Sequence, residues 1–110
     1  MQTEQVKIFQ PSGSLDAENS QEFRQQITEV AQQGVKIVLV DLKDVSFMDS
    51  SGLGSLVLAF KTLRASNNKL VLCSINEQIR ILFELTGMDK VFEIFADQEE
   101  FQKNLVSLVA

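Results

Sequence analysis

Histidine, tryptophan and tyrosine are absent from this chain of 110 residues, and cysteine and proline occur once each. Without histidine there can be no Ser-His-Asp triad and no histidine-ligated metal. The lone Cys73 excludes an intrachain disulfide and a cysteine-only zinc site, and it fits a reducing compartment. It lies in the apolar run KLVLCS (Lys69 to Ser74), so its thiol reads as core packing. Phenylalanine is the only aromatic type, and most of the eight fall on apolar faces, which leaves little to stack on single-stranded nucleic acid. Basic runs are missing as well. Lys36, Lys43, Lys61, Arg64 and Lys69 are dispersed and the net charge is −5, so no direct nucleic-acid partner is expected. Such acidity suits steering toward a basic protein surface instead. No apolar run approaches the ~20 residues that span a bilayer. The first ten residues, MQTEQVKIFQ, have neither the basic start nor the apolar centre of a secretory signal. A soluble, cytoplasmic protein with no membrane association is expected. The length implies one domain, 1–110, and the 45% apolar content suits a core that needs no disulfide or metal.

What is present alternates. Val6 to Phe9 predicts a short first strand, and Pro11-Ser12-Gly13 a turn after it. Asp16 is the candidate cap of a helix carrying Phe23, Ile27, Val30 and Ala31 on one face, with Gly34 as its left-handed stop. Val35 to Leu42 (VKIVLVDL) lacks alternation and predicts a strand covered on both faces. A second helix has Leu53, Leu56, Val57, Phe60 and Leu63 on one face and stops near Ser66-Asn67-Asn68. A strand from Leu70 to Ile75 follows, then a helix from Glu77 to Thr86 closed by Gly87. Val91 to Phe95 predicts a last strand. Asp97-Gln98-Glu99-Glu100 opens the final helix, with Phe101, Leu105 and Leu108 facing inward; this acidic cluster reads as helix-start chemistry and not as a metal site. The fold class is therefore α/β, with alternating strands and helices, a central mostly parallel sheet of four to five strands, and about four helices.

Chemistry concentrates in Asp49-Ser50-Ser51-Gly52-Leu53-Gly54, between a buried strand and the start of an amphipathic helix. Backbone N–H groups there have no intrahelical partner and the helix dipole favours negative charge, so the place can hold an anion or carry a covalent phosphate. Any of Asp49, Ser50 and Ser51 can cap the helix, but one cap does not need all three. Strand ends in open α/β sheets are where ligands and reactive groups collect. Asp16 also follows a strand end, which would bring it toward Ser50.

VSFMDSSGLG, from Val45 to Gly54, resembles the phosphorylation segment of the anti-sigma factor antagonists, small bacterial members of the STAS domain family. Gly13-Ser14-Leu15-Asp16 resembles that family's Gly-x-Leu-Asp turn, KLVLCS its third core strand, and LFELTGM (Leu82 to Met88) its helix ending in Ser/Thr-Gly-Leu. Ser14 stands where an acidic residue is common, and Met88 where Leu is usual. The resemblance covers nearly the whole chain and implies a single STAS domain. It also implies a non-enzymatic, partner-switching phosphoprotein that regulates transcription indirectly. Unphosphorylated, such a protein binds an anti-sigma factor with serine kinase activity and frees the sigma factor. That kinase modifies the first serine after the aspartate, here Ser50, with Ser51 as the rival acceptor, and a PP2C-type phosphatase resets the switch. The implied partner-binding residues are Asp16, Asp49, Ser50, Ser51, Gly52 and Leu53, with no cofactor and no metal.

Two other functions compete. An enzyme could use Asp16 and Asp49 as an acid–base pair, yet nothing marks a substrate pocket, and Gly52-Leu53-Gly54-Ser55 lacks the G-x-S-x-G order of a nucleophile elbow. A nucleotide-binding module could use Gly52 and Gly54 for close phosphate approach, but there is no Walker lysine. A scaffold role in a pathway without a sigma factor is a further alternative within the same family.

Overall fold

The nearly all-apolar run before the motif becomes the middle of a parallel sheet, which is why it lacks alternation. In the computed structural model, which describes residues 5–109 with side chains to Ser107, β3 (Ile37–Asp41) is buried at all five positions. It pairs in parallel with β1 (Val6–Phe9) on one side and β5 (Lys69–Cys73) on the other; β6 (Ile94–Phe95) completes the order β1-β3-β5-β6. Val38 and Val40 face a larger core. It is built with Phe23 and Ile27 of α1 (Ser20–Ala31), Leu56 and Leu63 of α2 (Ser50–Ala65), and Ile79 and Phe83 of α3 (Glu77–Thr86). Ile37 and Leu39 face the opposite side, where Val71, Cys73, Phe95 and Phe101 meet under α4 (Gln98–Lys103) and α5 (Leu105–Val109). Each face of the strand thus has its own cover, and Ile37 to Val40 are each apolar for that reason, with Asp41 as the buried polar end.

Several expectations change. Pro11-Ser12-Gly13 does not form a free turn. Ser12 and Gly13 begin β2 (Ser12–Leu15), which pairs in parallel with β4 (Asp44–Met48) as a separate two-stranded sheet. The turn-type residues serve a register shift between Gly13 and Ser14, with Gly13 at φ +87°. β4 was hidden because the chain leaves the main sheet at a tight corner: the Lys43 N–H donates to Asp41 Oδ1 (2.9 Å) and the Val45 N–H to the Leu42 carbonyl (3.0 Å). The final helix divides after Lys103, so the described residues form five α-helices where about four were expected. Phe60 and Val57 lie half-buried at the edge of α2, Phe60 with its ring edge-on to Phe92 (5.2 Å). Phe101 and Leu105 do face inward, whereas the side chain of Leu108 lies outside the described residues. Among the described residues no helix is long and apolar enough to cross a membrane.

Candidate functional site at the start of helix α2

β2 and β4 end in register, Leu15 opposite Met48, so Asp16 and Asp49 leave neighbouring strand ends. The two ends are held tightly. The Leu15 carbonyl accepts from the Asp49 N–H (3.1 Å), and a Cβ placed on Gly52 would stand 2.2 Å from that same oxygen. Gly52 is therefore a packing glycine, buried against the backbone of Leu15 and not open to a phosphate. Gly54 has nothing within 4 Å of its absent Cβ.

Asp49 is the residue that caps. Its backbone is extended, its Oδ1 accepts from the Gly52 N–H (3.0 Å), and its carbonyl takes the Leu53 N–H (3.0 Å). Ser50 and Ser51 are thus the first two helical residues, both exposed. Among the described residues neither hydroxyl makes a hydrogen bond. Their N–H groups precede the first intrahelical bond, at the positive end of the dipole. Ser55, by contrast, is buried and donates to the Gly52 carbonyl (2.7 Å). Leu53 is only 5% exposed, so it contributes mainly to the core.

Asp16 does not cap α1 as expected. The helix begins at Ser20, because Asp16 organises a turn ahead of it. Its Oδ1 accepts from the Glu18 N–H (3.0 Å) and its Oδ2 from Ser14 Oγ (3.1 Å). Asn19, the residue at the cap position, turns its side chain back onto the Asp16 N–H and the Ser14 carbonyl. Asp16 is half-buried and, among the described residues, shares no hydrogen bond with either serine.

A groove of about 730 Å³ opens beside the serines, running between α1 and α2 toward Thr86 and Met88. Arg24 and Leu58 line it, and Leu58 is 48% exposed. Sequence reasoning did not find these residues. Arg24 sits off the apolar face of its helix, and Leu58 interrupts the polar side of α2 as a lone apolar residue, a weak signal by itself.

A second polar cluster went unforeseen. Asp41, at the end of β3, is 2% exposed, and Gln98 Nε2 donates to its Oδ2 (2.7 Å). Burial alone pushes this carboxyl up, but hydrogen bonds from Gln98, the Lys43 N–H, Ser74 and Cys73 outweigh it and hold the group below the usual carboxylate range. Cys73, fully buried, has its thiol pushed up to about 11, first by burial and then by the charge of Asp41. The acidic run at 97 to 100 is a helix start: Asp97 Oδ1 accepts from the Glu100 N–H (2.8 Å), and Glu100 reaches back to the Ala96 N–H (2.6 Å). Among the described residues no group of three or more acidic or cysteine side chains is placed to hold a metal ion.

The family model described as the STAS domain matches residues 1–101. The anti-sigma-B factor antagonist of Listeria monocytogenes is 39% identical over 103 residues, 93% of this chain and 89% of that protein. A crystal structure of a Thermotoga maritima protein superposes with a TM-score of 0.84 at 27% identity, over 91% of this chain and 86% of that one. The Bacillus cell fate determinant SpoIIAA in its phosphorylated form gives 0.71 at 25% identity, over 96% and 95% of the two chains. By the family model and by these relatives, the chain belongs to the STAS domain family and groups there with the anti-sigma factor antagonists.

Proposed function

We propose that this chain is an anti-sigma factor antagonist, a binding protein and not an enzyme, whose one domain spans residues 1–110 and works in the cytoplasm. Unphosphorylated, it binds an anti-sigma factor with serine kinase activity; phosphorylation of Ser50 ends the binding, and a PP2C-type phosphatase restores it. The observation that carries this reading is the division of labour at the start of α2. Asp49 does the capping, which leaves the Ser50 hydroxyl exposed, without a hydrogen bond among the described residues and at the positive end of a sixteen-residue helix. The names of the relatives supply the class of partner.

The switch needs no change of fold. A phosphate adds a charge of about −1.5 to −2. On Ser50 it is favoured by the helix start and stands next to Asp49. A partner seated over Asp16, Asp49, Ser50 and Ser51, with Leu58 and Met88 in the adjoining groove, would meet bulk and charge where it had met a neutral hydroxyl. Gly52 and Leu53 would set the shape of this surface from beneath it. Ser51 is exposed as well, and motif position favours Ser50 over it.

The test is phosphopeptide mass spectrometry after incubation with the cognate kinase and ATP, followed by partner titration. One phosphate on Ser50 is expected, with wild type and Ser50→Ala binding more tightly than Ser50→Asp. A phosphate on Ser51 would move the switch by one residue. Equal affinity of modified and unmodified protein would defeat it.

A further inference from the structure

We infer that Gln78 is a positioning residue for the phosphoryl acceptor, which rests on the reading of Ser50 as the modified serine. Gln78 lies in the first turn of α3, and its side-chain amide makes both hydrogen bonds of a strand partner to a single residue. Oε1 accepts from the Met48 N–H (2.9 Å), and Nε2 donates to the Met48 carbonyl (2.8 Å). The other side of β4 is occupied by β2, with Leu15 opposite Met48. Met48 is therefore gripped from both sides, one residue before the helix cap and two before Ser50.

The neighbouring amide repeats the device. Asn76 caps α3 through Oδ1, which accepts from the Ile79 N–H (2.9 Å), and its Nδ2 donates to the carbonyls of Val45 and Ser46 (both 3.2 Å). The outer edge of β4 is thus held by two side-chain amides where a sheet would supply a strand. Asn76 spends one end of its amide on its own helix. Gln78 spends both ends on Met48, so it is the residue dedicated to this edge.

Phosphoryl transfer to a hydroxyl depends on alignment of the acceptor oxygen with the transferred group, and a displacement of about 1 Å can cost roughly 100-fold in rate. The first turn of α2 stands on Met48 through Asp49, so freedom at Met48 passes directly to Ser50. Partner binding, spread over a wider surface, depends less on that one atom.

Two variants divide the roles. Gln78→Met keeps the volume of the side chain and loses both hydrogen bonds. Gln78→Glu still accepts from the Met48 N–H and cannot donate when ionised. Phosphorylation by the cognate anti-sigma factor kinase with ATP and Mg²⁺ is followed at a temperature where all three proteins are folded. We expect kcat to fall roughly 10-fold or more for Gln78→Met, less for Gln78→Glu, with KM and the nucleotide-free partner Kd moving less than about threefold. Hydrogen exchange should quicken at Met48 and through residues 49–53 in Gln78→Met. A merely structural role would lower the denaturation midpoint while leaving kcat unchanged, and that result, or unchanged exchange at Met48, overturns the inference. Wild-type protein that takes no phosphate on the α2 start overturns the proposed function first, and is told apart by the wild-type arm alone.

Discussion

Asp41 and Asp49 both stand at strand ends, and the two ends have opposite fates. Asp41 closes β3 in the main sheet. It is 2% exposed and surrounded by donors, with Gln98 reaching down from α4. Asp49 follows β4 in the small sheet, half-buried, with two exposed serines beyond it whose hydroxyls make no hydrogen bond among the described residues. A strand end is the customary place for a ligand in open α/β sheets, yet here the end of the longer sheet is closed. The difference is the later chain. Gln98 of α4 occupies the carboxylate that a ligand would meet at Asp41, whereas among the described residues Ser50 and Ser51 at the start of α2 stay exposed. Buried polar groups are stable only when matched, and the described residues include no buried side-chain nitrogen or oxygen without a partner. Reactive potential survives only where matching stops.

The strongest way to break this contrast is to disturb the base on which the open end stands. Gly52→Ala should destabilise the fold by about 3 kcal/mol, because its Cβ would collide with the Leu15 carbonyl. Gly54→Ala, two residues on in open space, should be neutral or up to ~1 kcal/mol stabilising. Denaturant unfolding of the pair reads both signs. If Gly52→Ala is tolerated, the junction of β2 and α2 is looser than described.

The closed end is tested by Gln98→Ala, with an expected loss of about 2 kcal/mol at neutral pH, as for a hydrogen bond to a charged group. The folded Asp41 carboxyl lies below its unfolded value, so it contributes stability above an unfolded pKa of about 3.9 and loses it as pH falls through the lower folded value. Gln98→Ala raises the folded value. The gap between variant and wild type should therefore be full at neutral pH and shrink as pH falls through the folded values; a gap that does not change with pH would mean Gln98 acts by packing alone.

Smaller effects separate the cap from the switch. Asp49→Ala should cost about 1 kcal/mol, and Ser50→Ala less than ~0.5 kcal/mol, because the aspartate and not the serine holds the Gly52 N–H. Thermal melts distinguish them. Equal losses would return Ser50 to a capping role. The least change is expected at Cys73, whose thiol is held near 11. Thiol reagents at pH 8 should label it only as fast as the protein opens, and its contribution to stability should decline only as pH rises from about 8.5 toward that value. Rapid labelling of the native protein would show that the closed end opens on its own.

The elements with strong periodicity were legible from the residues alone. β3 declared itself by four successive apolar residues without alternation, α3 by its bounds and terminal Gly87, and the acidic start of α4 by capping chemistry. β2 and β4 were not legible, since Ser12 and Gly13 have turn chemistry and β4 alternates weakly between Val45 and Met48. Asp16 looked like a cap because it precedes a helix; its side chain instead closes a turn with Ser14 and Glu18. Gln78 carried no signal at all, because a glutamine in a helical first turn has countless solvated counterparts.

The sequence by itself determined the parallel α/β class, the buried central strand and a hydroxyl-bearing helix start, since hydrophobic period and capping chemistry act over a few neighbouring residues. Only the tertiary structure decided which glycine packs, which strand end stays open and which amide grips the acceptor segment. Those outcomes depend on contacts between residues about thirty or more apart in the chain, as in Gln78 with Met48, Gly52 with Leu15, and Gln98 with Asp41. Local propensity does not encode such pairings; they are chosen when each buried polar group must find a partner.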